Sequence, residues 1–327
     1  TTGTLRILWR WARNMHIPDG FLDLPTAIAA GAAAVAGIAL GLRDVRRNLS
    51  PRRVPLIGLA AAFVFATQML NFPIAAGTSG HMTGAVLAVV LLGPGAAVIM
   101  TAVLVLQCFM FADGGVTALG ANVLNMAIIA PAVGYVVYAG LRRLCGDGQR
   151  SLLFAAGFAA WCATVAAALA CAVELAASGT VVLRSAVMAM GGVHMVVGLV
   201  EAAITMMVVA VVIRSRPELL DRSQRVEHGV PATVAFGAVA TIGVLVFVSP
   251  LASSLPDGLE HVAHKLGFAA EAATPIAAPL QDYAVKGLVD QPWLGTVVAA
   301  GVGVAAAFAM AWLMARMLTR HALHARR

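Results

Sequence analysis

Charge is scarce in this chain. Only 11% of its 327 residues are Asp, Glu, Lys or Arg, 61% are hydrophobic, and the mean hydropathy is +0.89. A water-soluble domain is about half apolar and about a quarter charged, so that class is excluded. A net charge of +7 would suggest nucleic acid in a soluble protein. Here the basic residues stand in short clusters between apolar runs, the pattern of cytoplasmic loops in membrane proteins. Aromatic residues make up only 6% of the chain and cluster nowhere, which gives little material for a pocket around an organic solute. The four cysteines, Cys108, Cys145, Cys162 and Cys171, form no C-x-x-C pair, so neither a disulfide framework nor a thiolate metal site is supported. The motifs G-x-x-x-x-G-K-[ST], H-E-x-x-H and G-x-S-x-G do not occur. The chain is therefore not expected to be an enzyme, and ATP hydrolysis, if used, belongs to separate subunits.

What is present is a series of apolar runs of roughly 20 residues, which specify an all-α polytopic transmembrane helical bundle. Spans are expected at 25–42, 54–70, 82–92, 95–111, 118–141, 152–176, 186–213, 233–250 and 294–317. The third is too short to cross a hydrocarbon core of about 30 Å at about 1.5 Å per residue, and Gly93-Pro94-Gly95 stops it. A short helix preceded by a buried loop resolves this, because irregular backbone at membrane depth is tolerated when protein surrounds it. With that helix counted, sixteen arginines following spans one, five, seven and nine share one side, against Arg184, Lys265 and Lys286 on the other. The arginine side is cytoplasmic by the positive-inside rule. The segment Met15–Pro25 then lies outside and the C-terminus inside. Arg6, Arg10 and Arg13 also fall outside, against the rule. The expected organisation is an N-terminal extension over 1–14, a seven-span core over 15–213, a cytoplasmic linker over 214–232 and a two-span module over 233–320. The outside loop of that module covers 251–293.

Few polar groups lie in or near the membrane: His16, His81, Asp113, Glu174, His194 and Glu201. A chain beginning at Met15 would offer a chelate made of its α-amine, the Met15–His16 amide nitrogen and the His16 imidazole. The amine sheds its proton at modest cost, with a reference pKa of about 7.7–8.0. Nickel and copper(II) favour such square-planar nitrogen sets. A fourth donor would come from His81, in a Gly/Thr/Ser-rich loop able to fold tightly. On the residues alone, an interfacial, hydrogen-bonded role is the more ordinary reading for both histidines. Glu201 shares a helical face with His194 and Thr205, which fits either a polar network or a buried Glu–His pair joining two helices. Asp113, before Gly114-Gly115, reads as turn chemistry, and Glu174 reads as a solvated residue near a span end. The methionines show no regular spacing and read as core filler.

At these positions the sequence resembles a known family. "MHIPDGFL", "NFPIAAGTSGH", "FADGGVTALGANVLNMA" and "GGVHMVVGLVEAAIT" are similar to the signatures of CbiM/NikM proteins. These are the substrate-binding membrane components of cobalt and nickel energy-coupling-factor transporters. The likeness runs over 15–213. "SSLPDGLEHVAHKLGF" and "PLQDYAVKGL" resemble the NikN-type PDGLE module over 231–317, so the whole chain resembles a NikMN-type fusion in a prokaryotic cell membrane.

The resemblance implies import of Ni²⁺ or Co²⁺ as cargo, with no prosthetic group. It implies Met15, His16 and His81 as metal ligands, a CbiQ/NikQ-type coupling protein and CbiO/NikO-type cytoplasmic ATPases. It also implies help with loading from the PDGLE loop, where His261 and His264 are candidate relays. The same resemblance connects the chain to cobalamin biosynthesis through cobalt supply. One departure matters. Met15 follows Asn14 by a peptide bond and has no free amine, so residues 1–14 are expected to be absent from the working protein. An S-component-like importer of a small organic solute such as a vitamin is the alternative.

Overall fold

The computed structural model describes residues 15–48, 54–69, 71–74, 77–215, 230–245, 253, 255–273, 277–288 and 290–324. The extension 1–14 and residues 216–229 of the linker expected at 214–232 lie outside these residues. The molecule is an all-α membrane bundle. Its helices are α1 (Leu24–Asn48), α2 (Val54–Gln68), α3 (Ala85–Leu92), α4 (Ala96–Phe111) and α5 (Leu119–Cys145). They continue with α6 (Gln149–Ala177), α7 (Leu183–Ser215), α8 (Val230–Gly243), α9 (Gly258–Leu266) and α10 (Pro292–His324). Five of them, α1, α5, α6, α7 and α10, are long and apolar enough to cross a membrane, while α2 and α4 are apolar but shorter. Large apolar side chains such as Ile28, Val136, Phe154, Leu199 and Leu313 stay exposed on the long helices, a surface that suits hydrocarbon rather than water.

The short third span is a buried helix. Six of the eight residues of α3 are buried, as expected of a helix apolar all round. It packs against α5 and α6. Gly84 in the left-handed conformation (φ 66°) starts it, and Gly93-Pro94-Gly95 follows as a single 3-10 turn. The preceding loop is more regular than expected. Strands β1 (Asn71–Pro73) and β2 (Ser79–His81) pair antiparallel, with Asn71 opposite His81.

Helices α6 and α7 form a long hairpin, and α5 packs on α6. Near its start α5 contains a π-helical turn, Leu124–Ile129. Such turns insert an extra residue and often mark functional sites. The second module is docked on the core: α8 and α10 pack against α2, α10 against α4, and α9 against α7.

Candidate metal centre

The N-terminal segment, residues 15–23, is irregular, and its polar backbone is held by the turn after α4. Asn122 makes a two-way bond with Ile17, accepting from its N–H at 2.9 Å and donating to its carbonyl at 3.0 Å. The Gly115 N–H also reaches the Ile17 carbonyl, at 2.9 Å. The Asp19 carboxylate accepts from the Val116 and Thr117 N–H groups at 3.1 and 2.7 Å. Buried backbone groups are thus satisfied without a helix or sheet. Gly114 makes this approach possible. Its φ is +92°, and a Cβ there would lie 3.0 Å from the His16 Cβ.

This docking carries Met15 and His16 to one point. Oδ1 of Asp113 accepts the Met15 N–H at 2.8 Å and lies 3.0 Å from His16 Nδ1. The second contact is at ion-pair distance but off the hydrogen-bonding line, so neither ring nitrogen of the buried His16 has an aligned hydrogen-bond partner. The other carboxylate oxygen, Oδ2, accepts the Tyr283 hydroxyl at 2.7 Å. His81, at the end of β2, sets its ring edge-on to His16, with centroids 5.5 Å apart. Its Nδ1 is 3.9 Å from Asp257 Oδ2. Asp257 caps α9 by accepting the Glu260 N–H at 2.7 Å.

The surroundings separate the titrating groups. Burial disfavours the charged form of His16, but the Asp113 carboxylate more than offsets it and raises the pKa. His81 is pushed down to about 3 by burial and by the neighbouring His16 charge. Burial alone would raise Asp113, yet the charge and contact of His16 lower it. Asp257 is pushed up to about 6, chiefly by burial. A cavity of about 70 Å³ opens beside these groups, lined among others by Met15, His16, His81, Asn125, His194 and Asp257.

Met15, His16 and His81 therefore share one cleft. Among the described residues, no three His, Cys, Asp or Glu side chains are arranged to hold a metal ion. The PDGLE-loop histidines stand off the cleft, His261 half-buried and His264 exposed. Three expectations are corrected. Asp113 is a buried carboxylate facing His16, not only a turn residue. Glu174 is buried, not solvated, and accepts a 2.6 Å bond from Asn125 on the π turn. Glu201 and His194 go to different partners: Glu201 bonds Thr83, Gly84 and Thr164, while His194 Nδ1 lies 2.8 Å from the Met190 carbonyl. Asp257 and Tyr283 carried no sequence signal toward the site. Both lie in the motif-bearing second module, more than 150 residues from the core loops they meet.

Comparison with known proteins agrees with this organisation. The family described as "Cobalt uptake substrate-specific transmembrane region" matches residues 16–219, and the PDGLE domain matches 232–320. The putative fused nickel transport protein NikMN of Archaeoglobus fulgidus is 38% identical over 311 residues, covering 92% of this chain and 98% of that protein. The fused nickel transport protein NikMN of Rhodobacter capsulatus is 36% identical, covering 94% of this chain and all of that protein. A crystal structure of a truncated transition metal transporter matches at 35% identity and a TM-score of 0.56, over 61% of this chain and 99% of that one. The chain thus belongs to the cobalt uptake substrate-specific transmembrane family and carries a PDGLE domain on the same polypeptide.

Proposed function

We propose that this chain is the metal-binding membrane component of an energy-coupling-factor importer of Ni²⁺ or Co²⁺. The ion is held by the Met15 amine, the Met15–His16 amide nitrogen, the His16 ring and the His81 ring. A single observation carries this reading. The Met15 nitrogen and His16 Nδ1 converge on one oxygen atom, at 2.8 and 3.0 Å, with the His81 ring 5.5 Å from that of His16. The transport relatives support the coarser part, a role in metal transport. The size of the cleft argues against a vitamin-like solute, since about 70 Å³ is well under the roughly 300 Å³ of the smallest ordinary ligand pockets.

The working form begins at Met15, so that the amine is free. The seven-span core over 15–213 and the two-span module over 233–320 act together. A coupling protein of the CbiQ/NikQ type and ATPases of the CbiO/NikO type supply the energy, and the Met15 region faces outward. Titration of the purified protein with nickel and cobalt tests the site. His16→Ala and His81→Ala are each expected to abolish one-to-one binding, and mass spectrometry of the metal-loaded protein is expected to read Met15 as the first residue. Stoichiometric binding retained in both variants overturns the ligand assignment.

A further inference from the structure

Glu201 is a buried carboxylate that the ligand set does not use. It is 1% exposed, within α7. A carboxylate at such depth costs on the order of 2.5–3.5 kcal/mol on insertion scales and stays only where partners meet it. Four donors do so. Oε1 accepts from Thr83 Oγ1 at 2.5 Å and from the Gly84 N–H at 3.0 Å. Oε2 accepts from the Thr83 N–H at 3.2 Å and from Thr164 Oγ1 at 2.6 Å. Two of these donors are backbone N–H groups that can only donate, and an ionised carboxylate only accepts. A glutamine in this place would turn an NH₂ group toward at least one of them.

The bonded residues sit on either side of a junction. Thr83 and Gly84 directly follow the His81 strand and start α3, whereas Thr164 belongs to α6. On the other flank of His81, the Ser79 N–H donates to the Pro256 carbonyl at 2.8 Å and the Ser79 hydroxyl to the Leu255 carbonyl at 2.7 Å. His81 is therefore pinned from one side by the second module and from the other by an intramembrane carboxylate.

We propose that Glu201 is a positioning residue for the metal centre: by tying Thr83 and Gly84 to α6 and α7 it fixes where His81 stands, and a shift of those helices moves the histidine. The inference rests on the assignment of His81 as a ligand. A movement of those helices would then loosen the ion without any contact to it.

The test uses the full metal-binding chain in detergent, titrated with nickel and followed by calorimetry and by the visible absorption of the bound ion. Glu201→Gln is expected to keep one site per molecule but lose affinity at least about tenfold, the scale of one charge-assisted hydrogen bond, with a shifted absorption band. Thr164→Val removes one donor and is expected to lose roughly threefold. In both, the amides of Thr83 and Gly84 should exchange with deuterium faster. A purely structural role predicts fewer sites but unchanged affinity and spectrum in those that remain, and that result overturns the proposal. If Glu201→Gln does not fold, Thr164→Val decides, and unchanged affinity and exchange there overturn it. His81→Ala separates the two ideas. Nickel binding retained in His81→Ala removes the ligand assignment and this inference with it. Binding lost in His81→Ala but untouched in Glu201→Gln removes the role of Glu201 alone.

Discussion

His16 and His81 carry the same ring 5.5 Å apart, yet their surroundings drive them in opposite directions. His81, held near 3, is neutral at every physiological pH, so its lone pair is free to bind. His16, raised above the usual histidine value by Asp113, keeps a proton that a metal must displace. The acid loss of binding is therefore shared by His16 and the Met15 amine, each of which must give up a proton to the ion. Each displaced proton contributes about tenfold per pH unit, so affinity is expected to fall more steeply once the amine and His16 are both protonated. In Asp113→Asn the carboxylate holding that proton is gone and burial outweighs the remaining pull of Asp257, so the His16 pKa falls. The pH at which nickel affinity declines should then move to the acid side. Titrations across a pH series check this, and an unmoved midpoint contradicts it. The proposed ligand residues could be singled out because a Met-His start and a Gly-rich loop have recognisable chemistry. Asp113 was not, because an Asp before two glycines is ordinary in turns. Only the tertiary fold brings it to Met15, 98 residues away.

At the scale of elements, α9 shows how closely the second module meets the core. Asp257 caps the helix, and Gly258 then passes so near α7 that a Cβ would stand 2.7 Å from His194 Cε1. Gly258→Ala is expected to destabilise the docked loop by about 1–3 kcal/mol, the usual cost of overpacking. Adding His194→Ala should recover most of that loss, because the clashing ring is removed. A double-mutant thermal-unfolding cycle measures both effects, and additive losses would mean that the two residues do not meet. The helices themselves could be read from apolar run length, with ends displaced by a few residues. The hairpin β1–β2 could not, since strands of three residues leave no alternation to detect. Glu174 was misread for a related reason. A π turn rotates Asn125 toward α6, and no periodicity in the sequence announces that.

For the whole molecule, hydropathy specified an all-α membrane bundle and the motif order specified two modules. How the modules meet was not legible, because the contacts join loops whose partners lie far along the chain. In the structure the second module borders the cleft through Asp257, Gly258 and Leu259. The Tyr283 hydroxyl bonds Asp113, the Leu280 N–H bonds the Met110 carbonyl, and Asp257 faces His81. Tyr283 also stacks on Phe111, with centroids 4.6 Å apart. It follows Asp282, and both have left-handed backbones, φ 54° and 57°, a conformation that costs non-glycine residues about 1–2 kcal/mol each. The stacking and the hydroxyl bond offset that cost and keep the loop seated.

A seated loop changes the timing of cargo capture. His16 is only 3% exposed, so a hydrated ion cannot reach it by collision alone. On the proposed site, entry is expected to wait for a movement of the second module away from the cleft. The observed loading rate should level off at a plateau as nickel concentration rises, instead of climbing linearly. Tyr283→Phe deletes the 2.7 Å tie to Asp113 and is expected to raise that plateau and the release rate together, by about tenfold. Stopped-flow mixing reads both limbs, and a linear rise without plateau contradicts the gate. The second module is thereby expected to set how long an ion dwells in the proposed site, a clock apart from the ligands that hold it.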